Sequence, residues 1–230
     1  MARARDLQDR CVVVTGASRG IGFETARAFL DAGARVAICA RNRERLERAA
    51  AELDAGERLL HRAADVTEVE DLRGFLRAAV EAFGPIAVLV NNAGVLYSGP
   101  FVEEPLESID RTIAVNLAAL MRATRLTLPD MLSRGEGVIV NIGSGAGLTG
   151  HAEIVSYSAS KFGVVGFSEA LHDEVSARGV RVYALCPGRV ATDMQVQYTG
   201  KKQGIAPERV AQRVVELAAK GSRDPVVTLR

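Results

Sequence analysis

The sequence has no surplus of either charge. Lysine and arginine number 29 against 28 aspartates and glutamates, a formal net charge of +1. That balance provides neither the basic stripe that nucleic acid selects nor the polybasic patch of a membrane surface. Long apolar runs are also missing, and none approaches the ~20 residues that cross a bilayer. The first residues, Met1-Ala2-Arg3-Ala4-Arg5-Asp6, are charged and lead into a β-branched run without the apolar core of a secretory signal. Cysteine is scarce, at three. Cys11 opens one apolar run and Cys39 nearly closes the next, so in a parallel sheet they lie at opposite ends, too far apart to bridge. Together with Cys186 they read as core thiols in a reducing compartment, and the expected location is the cytoplasm. No linker, low-complexity tract or solenoid repeat interrupts the chain.

What remains is an ordinary globular composition, 48% hydrophobic and 25% charged over 230 residues. The pattern alternates from end to end. Strands are expected at 11–15, 35–40, 59–64, 86–90, 137–142, 180–185 and 225–229. Helices are expected at 20–32, 43–53, 68–83, 103–133, 156–178 and 207–220, with a kink at Pro129. Strands separated by helices of this length imply crossovers and a parallel sheet. Several strands are continuously apolar, as they are when helices cover both faces. The expected fold class is α/β: one doubly wound Rossmann domain over 1–230, a seven-stranded parallel sheet with helices on both faces.

In such sheets ligands bind outside the carboxyl ends of the strands. Four suggestive turns fall there. Thr15-Gly16-Ala17-Ser18-Arg19-Gly20-Ile21-Gly22 follows the first strand and opens a helix. Its glycines permit a tight turn and a close backbone approach to a pyrophosphate. Asp65-Val66, Asn91-Asn92-Ala93-Gly94 and Pro187-Gly188-Arg189-Val190-Ala191-Thr192 follow later strands. A fifth stretch carries the chemistry: Tyr157-Ser158-Ala159-Ser160-Lys161 begins a long helical pattern. Tyr157 and Lys161 are one turn apart on one face. A phenol titrates near pH ~10, and a nearby ammonium would lower that value. Ser144, thirteen residues before Tyr157, carries a hydroxyl that could bond the oxygen the phenol protonates.

Thr15-Gly16-x-x-x-Gly20-x-Gly22, Asn91-Asn92-Ala93-Gly94, Asn116, Ser144, Tyr157-x-x-x-Lys161 and Pro187-Gly188 together resemble the short-chain dehydrogenase/reductase family. The likeness is to its compact branch, which includes the 3-oxoacyl-carrier-protein reductases, and it spans about residues 8 to 193. The resemblance implies an oxidoreductase that interconverts a small-molecule carbonyl and a secondary alcohol, with no metal. Tyr157 would be the general acid or base. Lys161 would lower its pKa and hold the nicotinamide ribose, Ser144 would orient the substrate oxygen, and Asn116 would hold a relay water. Gly16, Ser18, Arg19, Gly20, Ile21, Gly22, Arg41, Asp65, Val66, Asn92, Ala93, Gly94, Pro187, Gly188, Val190 and Thr192 would bind cofactor, together with Tyr157 and Lys161.

NAD sites place an acid at the end of the second strand to take the ribose hydroxyls. Here that position reads Ala40, followed by Arg41. An acid would repel a 2′-phosphate and an arginine would pair with it, so Arg41 and Arg19 favour NADP(H) over NAD(H). The stretch 193–206 is short and polar and is expected as a mobile lid, with Leu148, His151 and Ile154 as the opposite wall. The chain stops at Arg230, just after the last strand, which leaves homodimer and homotetramer both open. A scaffold or sensor that binds NADP(H) on the same fold is the alternative. An epimerase or dehydratase of the family's larger branch fits the glycine spacing less well.

Overall fold

Strand residues alternate between two faces, and this chain fills both. A computed structural model describes residues 6–229; the charged residues 1–5 and Arg230 lie outside it. In β1 (Cys11–Thr15), Val12 and Val14 enter one core while Cys11 and Val13 enter the other. The same alternation runs through β2 (Arg35–Ala40), β4 (Ile86–Asn91) and β5 (Gly137–Ile142). With β3 (Leu59–Ala63), β6 (Val180–Pro187) and β7 (Val226–Leu229) they form one sheet in the order β3-β2-β1-β4-β5-β6-β7. Every pairing is parallel. Cys11 aligns with Arg35 and Thr15 with Cys39, so Cys11 and Cys39 do sit at opposite strand ends. All three cysteines are free and buried.

The helices cover the faces according to their apolar stripes. On one side lie α1 (Gly20–Asp31), α2 (Arg43–Leu53) and α8 (Pro207–Lys220), which bring Phe29, Leu46 and Leu217 to the first core. On the other lie α3 (Val69–Phe83), α5 (Ala119–Arg134) and α6 (Val155–Val175), with Phe75, Met131 and Leu171. The strand order reverses between β1 and β4, and a crevice opens there at the carboxyl edge, where such sheets bind ligands.

One expectation needs correction, and one element was missed. The helix expected over 103–133 begins only at Leu106, as α4 (Leu106–Ile113), passes through a π turn (Ala114–Ala118) and continues as α5. The polar stretch expected as a mobile lid contains a helix, α7 (Asp193–Thr199), which the sequence reading did not place. Thr192 caps it by accepting from the Gln195 N–H at 3.4 Å, and Gly200 closes it at φ +70°. Thr192-x-x-Gln195 has the spacing of a capping box, so the signal was in the sequence. A parallel bridge between Val190 and Ile205 fastens the far end of the segment. Among the described residues no helix is long and apolar enough to cross a membrane.

Candidate active site

The glycine turn after β1 is stitched to the turn after β4. The Thr15 hydroxyl accepts from the N–H groups of Asn92 and Ala93, both at 3.1 Å. The Asn92 amide donates to the carbonyls of Thr15 (2.9 Å) and Gly16 (3.0 Å). Gly16 has φ +68°, and a Cβ on it would lie 2.6 Å from Ala93 Cα, so only glycine permits this approach. The α1 N-terminus has no side-chain cap and no acid in its first turn. Its free N–H groups, at a partly positive helix end, suit a pyrophosphate.

The cleft above these turns has a volume of about 1300 Å³. Every expected site residue lines it except Gly22 and Asn116. Gly22 sits just beneath, and a side chain there would strike Asn92 and the Gly16 carbonyl. Asn116 is 1% exposed, behind the wall, in the π turn. Its Oδ1 accepts from Val95 N at 2.8 Å, and its Nδ2 donates to Val95 O at 2.9 Å and Ser160 Oγ at 3.1 Å. Ser160 Oγ in turn donates to the Tyr157 carbonyl at 2.7 Å. The amide thus clamps the wall to α6.

At the floor, Ser144 follows β5 and caps the turn Gly145–Gly147. Its Oγ accepts from Ala146 N at 3.1 Å, which leaves the hydroxyl proton free to donate into the cleft. Lys161 is 4% exposed; its Nζ donates to the Ile142 carbonyl at 2.7 Å and lies 5.6 Å from the Tyr157 ring centre. The ammonium was expected to lower the Tyr157 pKa, but burial dominates both groups. Burial raises Tyr157, offset in part by a hydrogen bond with Ser144. Burial also lowers Lys161 from 10.5 to about 8.

The adenosine end holds paired charges. Arg41 Nε lies 3.9 Å from Asp65 Oδ2, and Arg19 Nη1 lies 2.7 Å from Asp193 Oδ2 in α7. The other Asp65 oxygen accepts from Thr67 N at 2.9 Å and Thr67 Oγ1 at 2.7 Å. Of the expected opposite wall, His151 and Ile154 line the cleft and Leu148 does not, while Met194, Gln195 and Tyr198 of the expected lid also line it. Sequence reasoning passed over Arg45, in the first turn of α2, and Leu96, which also line the cleft. Arg45 could have been found from its place four residues after Arg41, at the start of the helix following β2. It passed over Gly147 too, where a Cβ would lie 2.5 Å from the Lys161 carbonyl.

The short chain dehydrogenase family pattern matches residues 10–217. Ketoacyl reductase HetN of a Nostoc species is 37% identical over 227 residues, covering 96% of this chain and 79% of that protein. 2-(S)-Hydroxypropyl-CoM dehydrogenase 3 of Xanthobacter autotrophicus is 36% identical over 212 residues, with 91% and 82% covered. A crystallised variant of actinorhodin polyketide ketoreductase with NADPH superimposes with a TM-score of 0.90 at 34% identity, covering 98% of this chain and 97% of that one. The glycine turn, the Ser144–Tyr157–Lys161 floor and these likenesses agree, and the chain belongs to the short-chain dehydrogenase family of oxidoreductases.

Proposed function

We propose that the protein is an NADP(H)-dependent oxidoreductase that interconverts a carbonyl and a secondary alcohol, with Tyr157 as general acid and base. The observation that carries this reading is the floor of the cleft, where a half-buried phenol meets the Ser144 hydroxyl beside a buried ammonium. When bound, the nicotinamide supplies a hydride in reduction and accepts one in oxidation. Ser144 donates to the substrate oxygen and fixes its direction. Tyr157 gives its proton to that oxygen as negative charge develops there, and takes it back in the reverse reaction. Its raised pKa keeps the phenol protonated at neutral pH, ready to act as the acid. Lys161 supplies positive charge below pH about 8, where it stabilises the phenolate left behind.

The glycine turn and the α1 N-terminus suit the pyrophosphate. Arg41, Arg19 and Arg45 offer positive charge to a 2′-phosphate, and the NADPH complex of the ketoreductase neighbour supports that choice. Leu96, Ile154, Met194 and Tyr198 give the substrate a mixed apolar wall. The relatives are named for substrates as different as ketoacyl groups and a coenzyme M alcohol. For assembly, a homodimer or homotetramer would cover Leu106, Ile113 and Phe162 on α4 and α6, which are exposed.

The test is NADPH oxidation against 3-oxoacyl thioesters, simple ketones, aldehydes and quinones. Wild type should turn over at least one carbonyl. Tyr157→Phe should lose at least the ~10²-fold typical of a general acid while still binding NADPH. Tyr157→Phe turnover near that of wild type would overturn the assignment.

A further inference from the structure

Helix α6 carries both Tyr157 and Lys161, yet it begins without a cap of its own. The N-cap residue, Ile154, makes no side-chain hydrogen bond, and the first turn holds no acid. First-turn N–H groups have no partner inside the helix, so this turn frays unless something holds it. Tyr157 is the third residue of that turn, and fraying there would swing its phenol.

A carboxylate arrives from another element. Glu104, next to the turn Phe101–Glu103, is 7% exposed. Its Oε1 accepts from Ser156 Oγ at 2.5 Å. Ser156, itself 5% exposed, directly precedes Tyr157. Ser108 Oγ of α4 donates to the same oxygen at 3.4 Å. No lysine, arginine or histidine lies within ion-pair distance of Glu104 among the described residues. A buried anion without a cation is costly, and an apolar residue would serve packing better. What the carboxylate adds is a short, directional bond to one hydroxyl and a negative charge at a positive helix end.

We propose that Glu104 is a positioning residue for the reaction: through Ser156 it fixes the first turn of α6 and so sets the Tyr157 hydroxyl against Ser144. The proposal rests on Tyr157 as the proton donor. Glu104 does not line the cleft, so its removal should act on kcat more than on cofactor binding.

Four variants, Glu104→Ala, Glu104→Gln, Ser156→Ala and the Ala/Ala double, are compared for kcat, NADPH affinity by fluorescence, and amide hydrogen exchange over residues 155–158. Glu104→Ala should lower kcat about tenfold or more, within the roughly hundredfold that a displacement of about 1 Å can cause. NADPH affinity should hold, and exchange in the first turn should quicken. Glu104→Gln keeps an acceptor oxygen and should recover most of the rate. Ser156→Ala should match Glu104→Ala, and the double variant should be no worse than either single one. If first-turn exchange is unchanged in Glu104→Ala, or if kcat and NADPH affinity fall together without rescue by glutamine, the proposal is overturned. Wild type without carbonyl reductase activity would instead defeat the proposed function, and exchange alone would then decide the tether.

Discussion

Arg41 and Arg19 each face a carboxylate in the cleft, and magnitudes decide what that means for a phosphate. Both pairs are half exposed, Arg41 with Asp65 at 48% and 32% and Arg19 with Asp193 at 57% and 57%. Exposed pairs contribute about 0–1 kcal/mol each. A charge-assisted hydrogen bond to phosphate is worth roughly 1.5–3 kcal/mol. A 2′-phosphate bound at this corner would therefore be expected to outcompete either carboxylate. Ala40→Asp with Arg41→Ile reverses the field at this corner. NADPH should lose kcat/KM, NADH should gain some, and turnover at saturation should change little. The ratio of the two specificity constants measures this; wild type preferring NADH, or an unchanged ratio in the double variant, would show Arg41 to be a solvated charge. At this scale much of the candidate site was legible. Tyr157, Lys161, Ser144 and the two arginines announce their chemistry by residue type. Glu104 did not, because its partner Ser156 is distant in sequence and a glutamate beside Pro105 looks like any surface acid.

Among elements, alternating apolar runs gave the sheet and its helices, because burial on both faces leaves a strong periodic signature. The breaks were harder to read. The π turn at Ala114–Ala118 carries Asn116, whose bonds to Val95 and Ser160 come from distant parts of the chain, which no local pattern encodes. The Gly145–Gly147 turn was equally silent. Its tight seat on α6 depends on Gly147, where a Cβ would meet main-chain atoms of Lys161 at 2.5 and 2.8 Å. Backbone cannot swing aside as a long side chain can, so Gly147→Ala must push the Ser144 turn away from α6. Overpacking of this kind costs about 1–3 kcal/mol. Gly147→Ala should lower both thermal stability and kcat. Gly150→Ala, in the same loop with nothing within 4 Å of its Cβ, should leave both alone. Equal behaviour of the two variants would mean that the seat of Ser144 is looser than the contact distances require.

For the molecule as a whole, the buried titratable groups set an alkaline limit. Burial pushes the thiols of Cys11 and Cys39 from 9.0 to about 12, and it raises Cys186 as well. A raised folded pKa contributes stability in full below the unfolded value and loses it as pH climbs toward the folded one. Each of these thiols therefore removes stability above pH 9, at about 1.4 kcal/mol per pH unit for each full proton. Lys161 acts in the opposite sense. Its folded pKa is depressed to about 8, so the cost of burying its charge is relieved between pH 8 and 10.5. Between pH 9 and 10 three thiols, joined toward pH 10 by the Tyr157 phenol, oppose one ammonium, and Tm should fall. Removing Cys11 and Cys39 leaves Cys186 and, toward pH 10, Tyr157 against Lys161, so the decline should be smaller. The double variant Cys11→Ala/Cys39→Ala should start from a lower Tm at pH 7, since two buried side chains are truncated. Its Tm should nonetheless fall less from pH 9 to 10 than that of wild type. Thermal melts at half-unit pH steps measure both slopes. A flat wild-type curve, or a double variant that declines as steeply, would show that these thiols are not what limits the fold in alkali.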